Sequence, residues 1–230
     1  MTISPEARHD IAMETARILI EVGAIQFNVE RPFMFSSGLA SPVYIDCRRL
    51  ISYPQQRARL MDHATQIIAQ DIGLDQVDAV AGGETAGIPF AAWIAANLQM
   101  PMHYVRKRPK GYGANARIEG VMAEDEQVVL IEDLTTDGGS KLRFCKSLRD
   151  AGAKVSHCVM IFYYDIFPQT RAILREQGLE LHALANWRDI LAALRESDPI
   201  PRQDLSQLRA FLNDPLDWSL AHGGAAKLVI

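Results

Sequence analysis

VVLIEDLTTDGGSK, residues 128–141, is the stretch on which the reading of this 230-residue chain turns. Val128 to Ile131 are four apolar residues with the length and branching of a buried strand. Glu132 and Asp133 stand at its end, followed by Leu134, the hydroxyl residues Thr135 and Thr136, and then Asp137, Gly138, Gly139 and Ser140, which open a helix predicted over about 140–151. Successive amide N–H groups at a helix N-terminus form an anion site. Glycines permit close approach, hydroxyls add donors, and the helix dipole adds positive potential. A monophosphate fits such a site. Adjacent carboxylates at its rim accept hydrogen bonds from neutral hydroxyls, such as the vicinal pair of a ribose, or coordinate Mg²⁺ that keeps several waters. A ribose 5-phosphate would satisfy both halves. With no GxxxxGK[ST] and no GxGxxG after the strand, a P-loop and a dinucleotide fingerprint are both excluded. Taken by itself, an acidic strand end with a glycine turn also reads as nothing more than a helix cap.

Outward from this stretch the same arrangement recurs. DAVAGGETAG, residues 78–87, reads as a short buried strand entering a glycine-rich loop, AGIPFAAWIAANL as a helix, and MHYV as the next strand. A further strand is predicted at Val155 to Phe162. Strands alternating with helices are βαβ units, which imply a mainly parallel sheet with right-handed crossovers and ligands beyond the carboxyl ends of the strands. The polar loops at Gly82 to Gly87, Arg106 to Arg117 and Glu132 to Ser140 all follow strands, so all three are expected to line one cleft.

Before the sheet, residues 7–22 place Ile11, Thr15, Ile18, Leu19 and Val22 on one helical face, with Gly23 as a stop signal. FMFSSGLASPVYID then predicts short strands joined by a turn, forming a small subdomain. A second amphipathic helix is predicted from Pro54 to Ile72. The organisation expected is one domain: a hood mainly over 1–50, a core over about 54–195, and a tail over about 196–230 whose only readable feature is the helical pattern LSQLRAFL.

The bulk numbers suit a soluble globular chain, with 48% hydrophobic and 23% charged residues. Cys47, Cys145 and Cys158 are odd in number and widely spaced, which argues against a disulfide framework or structural zinc. There is no signal-peptide core and no run of 18 apolar residues, so a cytoplasmic location is expected. A formal charge of −4 argues against a general affinity for nucleic acid or anionic membrane. Basic residues are nevertheless concentrated in one place: Arg106, Lys107, Arg108, Lys110 and Arg117 stand together with no acidic residue until Glu119. Such a loop suits an anionic ligand. It also suits a merely solvated loop, or one that touches RNA. His157 lies in an apolar strand and reads as core, as do Met61, Met100, Met102 and Met160.

The stretch at 128–141 resembles the phosphoribosyl-pyrophosphate motif of the type I phosphoribosyltransferases. The resemblance runs in order over about residues 20–195 and, within that family, is greatest to the orotate phosphoribosyltransferases. FSSGLASPVYID resembles their base-recognition segment, AGGETAGIP their pyrophosphate loop and VRKRPKGYGANARIEG their mobile catalytic loop. It implies a central parallel sheet flanked by helices under a small N-terminal hood, and transfer of a phosphoribosyl group from 5-phosphoribosyl-1-pyrophosphate to orotate. It implies that Glu132 and Asp133 hold the ribose hydroxyls and that Leu134 and Thr135 to Ser140 cradle the 5-phosphate, with Thr136 also touching the base. Thr85 and Ala86 fall in the pyrophosphate loop. Arg106, Lys107, Lys110 and Tyr112 fall in the catalytic loop, Lys110 contributing most to catalysis, and Tyr44 and Ile45 where backbone groups meet orotate. Mg²⁺ with the pyrophosphate, and a homodimer in which each catalytic loop serves the neighbouring site, are implied as well. Gly111 and Gly113 would act as hinges of that loop.

The chain departs from this pattern at four positions. Ser36 stands where many orotate enzymes have lysine, Ala86 where a basic residue is common, Tyr112 where a histidine is frequent, and Ile166 where a base-binding arginine often follows aspartate, with Arg171 nearby but not aligned. These departures touch recognition of the acceptor more than of the ribose phosphate. They keep open a transferase for another base, and a regulatory protein of the same fold that senses the donor without consuming it.

Overall fold

The computed structural model of the protein describes residues 2–35, 37–111, 117–197 and 202–227. Helix α1, Pro5–Glu21, starts where the Ser4 hydroxyl accepts the Ala7 amide at 3.2 Å and Pro5 fixes the first-turn φ. It buries Ile11, Thr15, Ile18 and Leu19, the face expected from their spacing. The hood follows as four short strands: β1 (Ile25–Phe27) pairs antiparallel with β4 (Val43–Ile45), and β2 (Phe33–Met34) with β3 (Ala40–Ser41). A 3-10 turn at Cys47–Ser52 leads into α2, Pro54–Ile67, which widens into a π segment over Ile68–Gly73 and stops at Gly73.

The sheet comprises β5 (Ala79–Gly83), β6 (Met102–Val105), β7 (Ile118–Glu119), β8 (Gln127–Thr135), β9 (Lys154–Tyr163) and β10 (Glu180–Asn186). Their spatial order is β10-β9-β8-β5-β6-β7; all neighbours run parallel except β7, which turns back antiparallel on β6. Helix α3 (Gly87–Leu98) joins α1, α2 and α6 (Trp187–Ser197) on one face. Helices α4 (Gly139–Asp150) and α5 (Gln169–Glu176) cover the other. The faces alternate as a two-residue period requires: Val129, Ile131, Val159 and Ile161 point to the first, Val128, Leu130, Cys158 and Met160 to the second. Cys47, Cys145 and Cys158 are buried free thiols, and Met61 and Met160 are core residues.

Strand β8 is longer than its apolar run predicts. Its pairing with β9 continues to Thr135 opposite Tyr163, whereas β5 leaves it after Gly82 opposite Ile131. Glu132 and Asp133 therefore lie inside a strand, just past the end of its shorter neighbour.

Sequence spacing pointed to no histidine cluster, yet the pairing of β9 with β10 brings His157 Nδ1 to 3.1 Å from His182 Nε2, with Glu180 beside them. They sit toward the amino ends of these strands, away from the loops that follow the carboxyl ends. Burial lowers the pKa of both rings, that of His182 to about 4.

The C-terminal segment belongs to the hood. Helix α7 (Arg202–Asn213) packs on α8 (Pro215–Ala221), and α8 packs on β3. The Ser219 hydroxyl accepts the Ala40 amide at 3.0 Å and donates to the Ala225 carbonyl at 2.8 Å, while the Ala225 amide donates to Gly38 O at 2.8 Å. Ser219 and Ala40 are fully buried, so the hydroxyl satisfies an amide that water cannot reach. Ser219→Ala is expected to destabilise the protein by about 1–3 kcal/mol, the cost of leaving that donor unsatisfied, measured as a lower urea midpoint with unchanged slope.

Candidate active site

A cavity of ≈ 900 Å³ opens beyond the carboxyl ends of β5 and β8 and under the hood. Its walls come from the three directions the loop spacing predicts: the segment after β8, the loop after β5, and the start of the loop after β6.

The segment after β8 turns on Gly138, whose φ of +84° is left-handed and whose added Cβ would meet Leu174 at 3.1 Å. The turn is held from within. Thr135 Oγ1 accepts the Gly138 amide at 3.0 Å and Asp137 Oδ1 accepts the Gly139 amide at 2.9 Å. These two glycine amides, expected in the cradle, are engaged inside the loop, and neither glycine lines the cavity. The amides of Thr136 and Asp137 have no partner among the described residues. Thr136, Asp137 and Ser140 do line the cavity, as do Leu134 and Thr135. The donors on offer are thus two amides, the Thr136 and Ser140 hydroxyls, and the amino end of the twelve-residue α4.

Glu132 and Asp133 divide into two roles. Glu132 is 5% exposed and receives the ammonium of Lys141, itself 4% exposed, at 2.5 Å. Burial pushes the Glu132 carboxyl up to about 7 against the pull of Lys141. Burial also works against the Lys141 charge, but Glu132 and Asp133 outweigh it and raise its pKa. Glu132 lies directly beneath the glycine loop: a Cβ on Gly83 would stand 2.0 Å from Glu132 Oε1, and one on Gly87 2.6 Å. Asp133 is half-buried and has one oxygen bonded to the Leu134 amide at 2.8 Å, while Oδ2 has no partner among the described residues. It is the carboxylate of the pair open to a hydroxyl or to a hydrated Mg²⁺.

Across the cavity, Thr85 and Ala86 follow a cis Glu84–Thr85 peptide. Glu84 accepts the Lys107 amide at 2.6 Å, which ties the glycine loop to the start of the basic loop. Lys107 lines the cavity, but Arg106 and Lys110 do not. Both reach Glu119, at 3.2 and 3.4 Å, at the base of the β6–β7 hairpin, and the Lys110 side chain is 70% exposed. Tyr112 and Gly113, like Ser36, lie outside the described residues.

The hood contributes aromatic rings. Tyr44 packs on Phe33 and Phe35, with centroids 5.6 and 6.3 Å apart, and Phe35 meets Tyr164 edge-on at 5.6 Å. Ile45 is buried behind this wall and its amide donates to the Tyr164 hydroxyl at 3.1 Å. Ile166 is buried too, and Arg171 lies over the Tyr163 ring, 3.7 Å from Asp165 and off the cavity wall.

Residues 53–166 match the family described as the phosphoribosyl transferase domain. The chain is 55% identical over 211 residues to the orotate phosphoribosyltransferase of Cereibacter sphaeroides, covering 92% of this chain and 91% of that one. It is 50% identical over 215 residues to the same-named protein of Rhizobium meliloti, covering 94% and 93%. The chain belongs to the orotate phosphoribosyltransferase family. Among solved structures it is similar to the orotate phosphoribosyltransferase of Aeropyrum pernix, with a TM-score of 0.68 and 31% identity over 79% of this chain and 98% of that one. It is also similar to Leishmania donovani UMP synthase, with a TM-score of 0.73 and 30% identity over 87% of this chain, which spans 42% of that longer protein.

Several residues of this phosphoribosyltransferase cavity were not singled out from the sequence: Lys141, Arg143, Glu84, Arg48 and Tyr164. Lys141 carried a signal. It begins the α4 stripe continued by Phe144, Cys145 and Leu148, so helical spacing places a charged residue on the buried face, where only a paired one is stable. Lys141→Met alone should lower stability by about 3–5 kcal/mol, because Glu132 loses its buried partner, and Glu132→Gln with Lys141→Met should recover most of that loss. Urea denaturation of both proteins checks this; equal loss in both would show that packing, not charge, dominates.

Proposed function

We propose that this protein transfers the phosphoribosyl group of 5-phosphoribosyl-1-pyrophosphate to orotate, giving orotidine 5′-monophosphate and pyrophosphate, a step of pyrimidine synthesis. The observation that carries the reading is a single cavity joining an amide-and-hydroxyl phosphate cradle, the open Asp133 carboxylate and an aromatic hood, in a chain of this family.

The cradle at Thr136 to Ser140 takes the 5-phosphate, and Asp133 takes the ribose hydroxyls. Orotate lies against the Tyr44 side of the hood. Its N1 gives up its proton and forms the new bond to C1 as the C1–O bond breaks; the C1–O bonding pair leaves with pyrophosphate, whose oxygens or the solvent take up that proton. Charge grows on the leaving group while the ribose becomes oxocarbenium-like. Catalysis is therefore mainly orientation and fixed positive charge, supplied by Lys107 with Arg106 and Lys110 once the basic loop is brought over the cavity. Asp133 Oδ2 and the ribose hydroxyls it faces are suited to a hydrated Mg²⁺, which when bound offsets pyrophosphate charge. A homodimer with the loop shared between copies is part of this proposal. What supports it is that Lys110 is exposed and absent from the wall of its own cavity. A cytoplasmic site of action accords with the finding that, among the described residues, no helix is long and apolar enough to cross a membrane.

A steady-state assay with orotate, the donor and Mg²⁺ tests the reading; turnover of another base with no orotidylate overturns it. In that assay Lys110→Ala should lower kcat on the order of 10²-fold with modest change in KM, as for loss of one donor to a developing anion. Asp133→Asn should instead raise KM for the donor roughly tenfold, the scale of one hydrogen bond to a charged group. Near-normal kinetics in both would reject these roles.

A further inference from the structure

Orotate carries a carboxylate at C6, and a carboxylate taken from water into a cavity needs a charged or multi-donor partner. Four cations line the cavity among the described residues: Arg48, Lys107, Lys141 and Arg143. Lys141 is committed to Glu132 beneath the glycine loop. Arg143 stands in α4 one turn beyond Gly139, next to the phosphate cradle. Lys107 adjoins Glu84 on the pyrophosphate side. Arg48 stands on the hood side, three residues past the end of β4 and beside Tyr44.

We propose that Arg48 receives the acceptor's carboxylate and thereby selects a 6-carboxylated pyrimidine over uncharged bases; the proposal rests on the phosphoribosyl-transfer reading of this cavity. The guanidinium is already oriented. Its Nε donates to Asp46 Oδ1 and its Nη2 to the Tyr44 hydroxyl, each at 2.9 Å, which fixes the plane of the fork. Of the five N–H donors that an arginine carries, two are thus used, and Nη1 has no partner among the described residues. Asp46 holds the Nε edge and so leaves the Nη1 end for a carboxylate. The side chain is 54% exposed before any ligand arrives. Tyr44, Phe33 and Phe35 supply flat apolar surface next to the fork, as a planar pyrimidine requires. Arg48, Tyr44 and Asp133, the carboxylate assigned to the sugar, line the same cavity. A base held here by its carboxylate adjoins the ribose it must attack. Ile166 offers no charge, and Arg171 is turned to Tyr163 and Asp165, so neither competes for the role.

The test compares orotate with its uncharged isostere, uracil-6-carboxamide, on the unaltered protein, Arg48→Gln and Arg48→Lys. Orotate KM, carboxamide inhibition, donor KM and kcat are read for each. The unaltered protein is expected to prefer orotate over the carboxamide roughly ten- to hundredfold, the range of a charge-assisted hydrogen bond, and Arg48→Gln to bring that ratio close to one. Donor KM should stay within about twofold while orotate KM rises, and Arg48→Lys should restore part of the preference. A preference retained in Arg48→Gln with normal donor kinetics overturns the assignment and leaves the reaction standing. Equal losses toward both bases and the donor also overturn it, by showing that Arg48 only shapes the hood. An unaltered protein that makes no orotidylate removes the reaction and the assignment together.

Discussion

The buried contact between Lys141 and Glu132 determines how the two halves of the cavity can meet. A carboxylate in the interior is tolerable only with a cation beside it, and the first turn of α4 delivers that cation across the end of β8. With Glu132 so placed, the loop after β5 has to pass over it with no side chains at Gly83 and Gly87, since a single carbon at either would collide with the carboxylate or with Ile131. The glycines therefore answer a packing requirement inside the protein as well as any need for a ligand to come close. The same pair leaves Asp133 as the carboxylate on the cavity wall with an oxygen, Oδ2, that no described residue engages, so two adjacent acidic residues end up in different surroundings.

Strand polarity does the remaining positioning. Parallel strands put their following loops at one edge, and three such loops with different chemistry converge there because β5, β6 and β8 are close neighbours in the sheet. The unequal lengths of β5 and β8 add a step at that edge, and the step is where the acidic residues emerge. The hood closes the opposite side with rings rather than charges, which leaves Arg48 as its contribution to the electrostatics of the cavity.

The core of the architecture was legible from the amino-acid sequence because its strands are apolar on both faces and end in loops of unusual composition. The helix starting after Gly138, the strand MHYV and the face of α1 all lie within a residue or two of where spacing places them. Strand β7 was not legible, since two residues carry no periodicity, and neither was the full length of β8, which is set by pairing with β9 rather than by local hydrophobicity. In the cradle, residue types identified an anion loop but not which amides are free. Thr135 and Asp137 compete for the glycine N–H groups, and that competition depends on three-dimensional turn geometry. The place of the C-terminal helices was hidden for a different reason: their contacts with the hood link residues far apart in the chain and leave no trace in local pattern.

That remote linkage has a temporal side. The Ala40 amide and the hydroxyl that satisfies it are separated by 179 positions, so a nascent chain makes one strand of its roof long before it makes the residue that fastens it. Contacts of such separation are slow to close. A growing polypeptide can assemble its sheet and the loop after β8 while the hood still lacks its clasp. The hood side of the cavity is thus the last to be fastened as the chain is made.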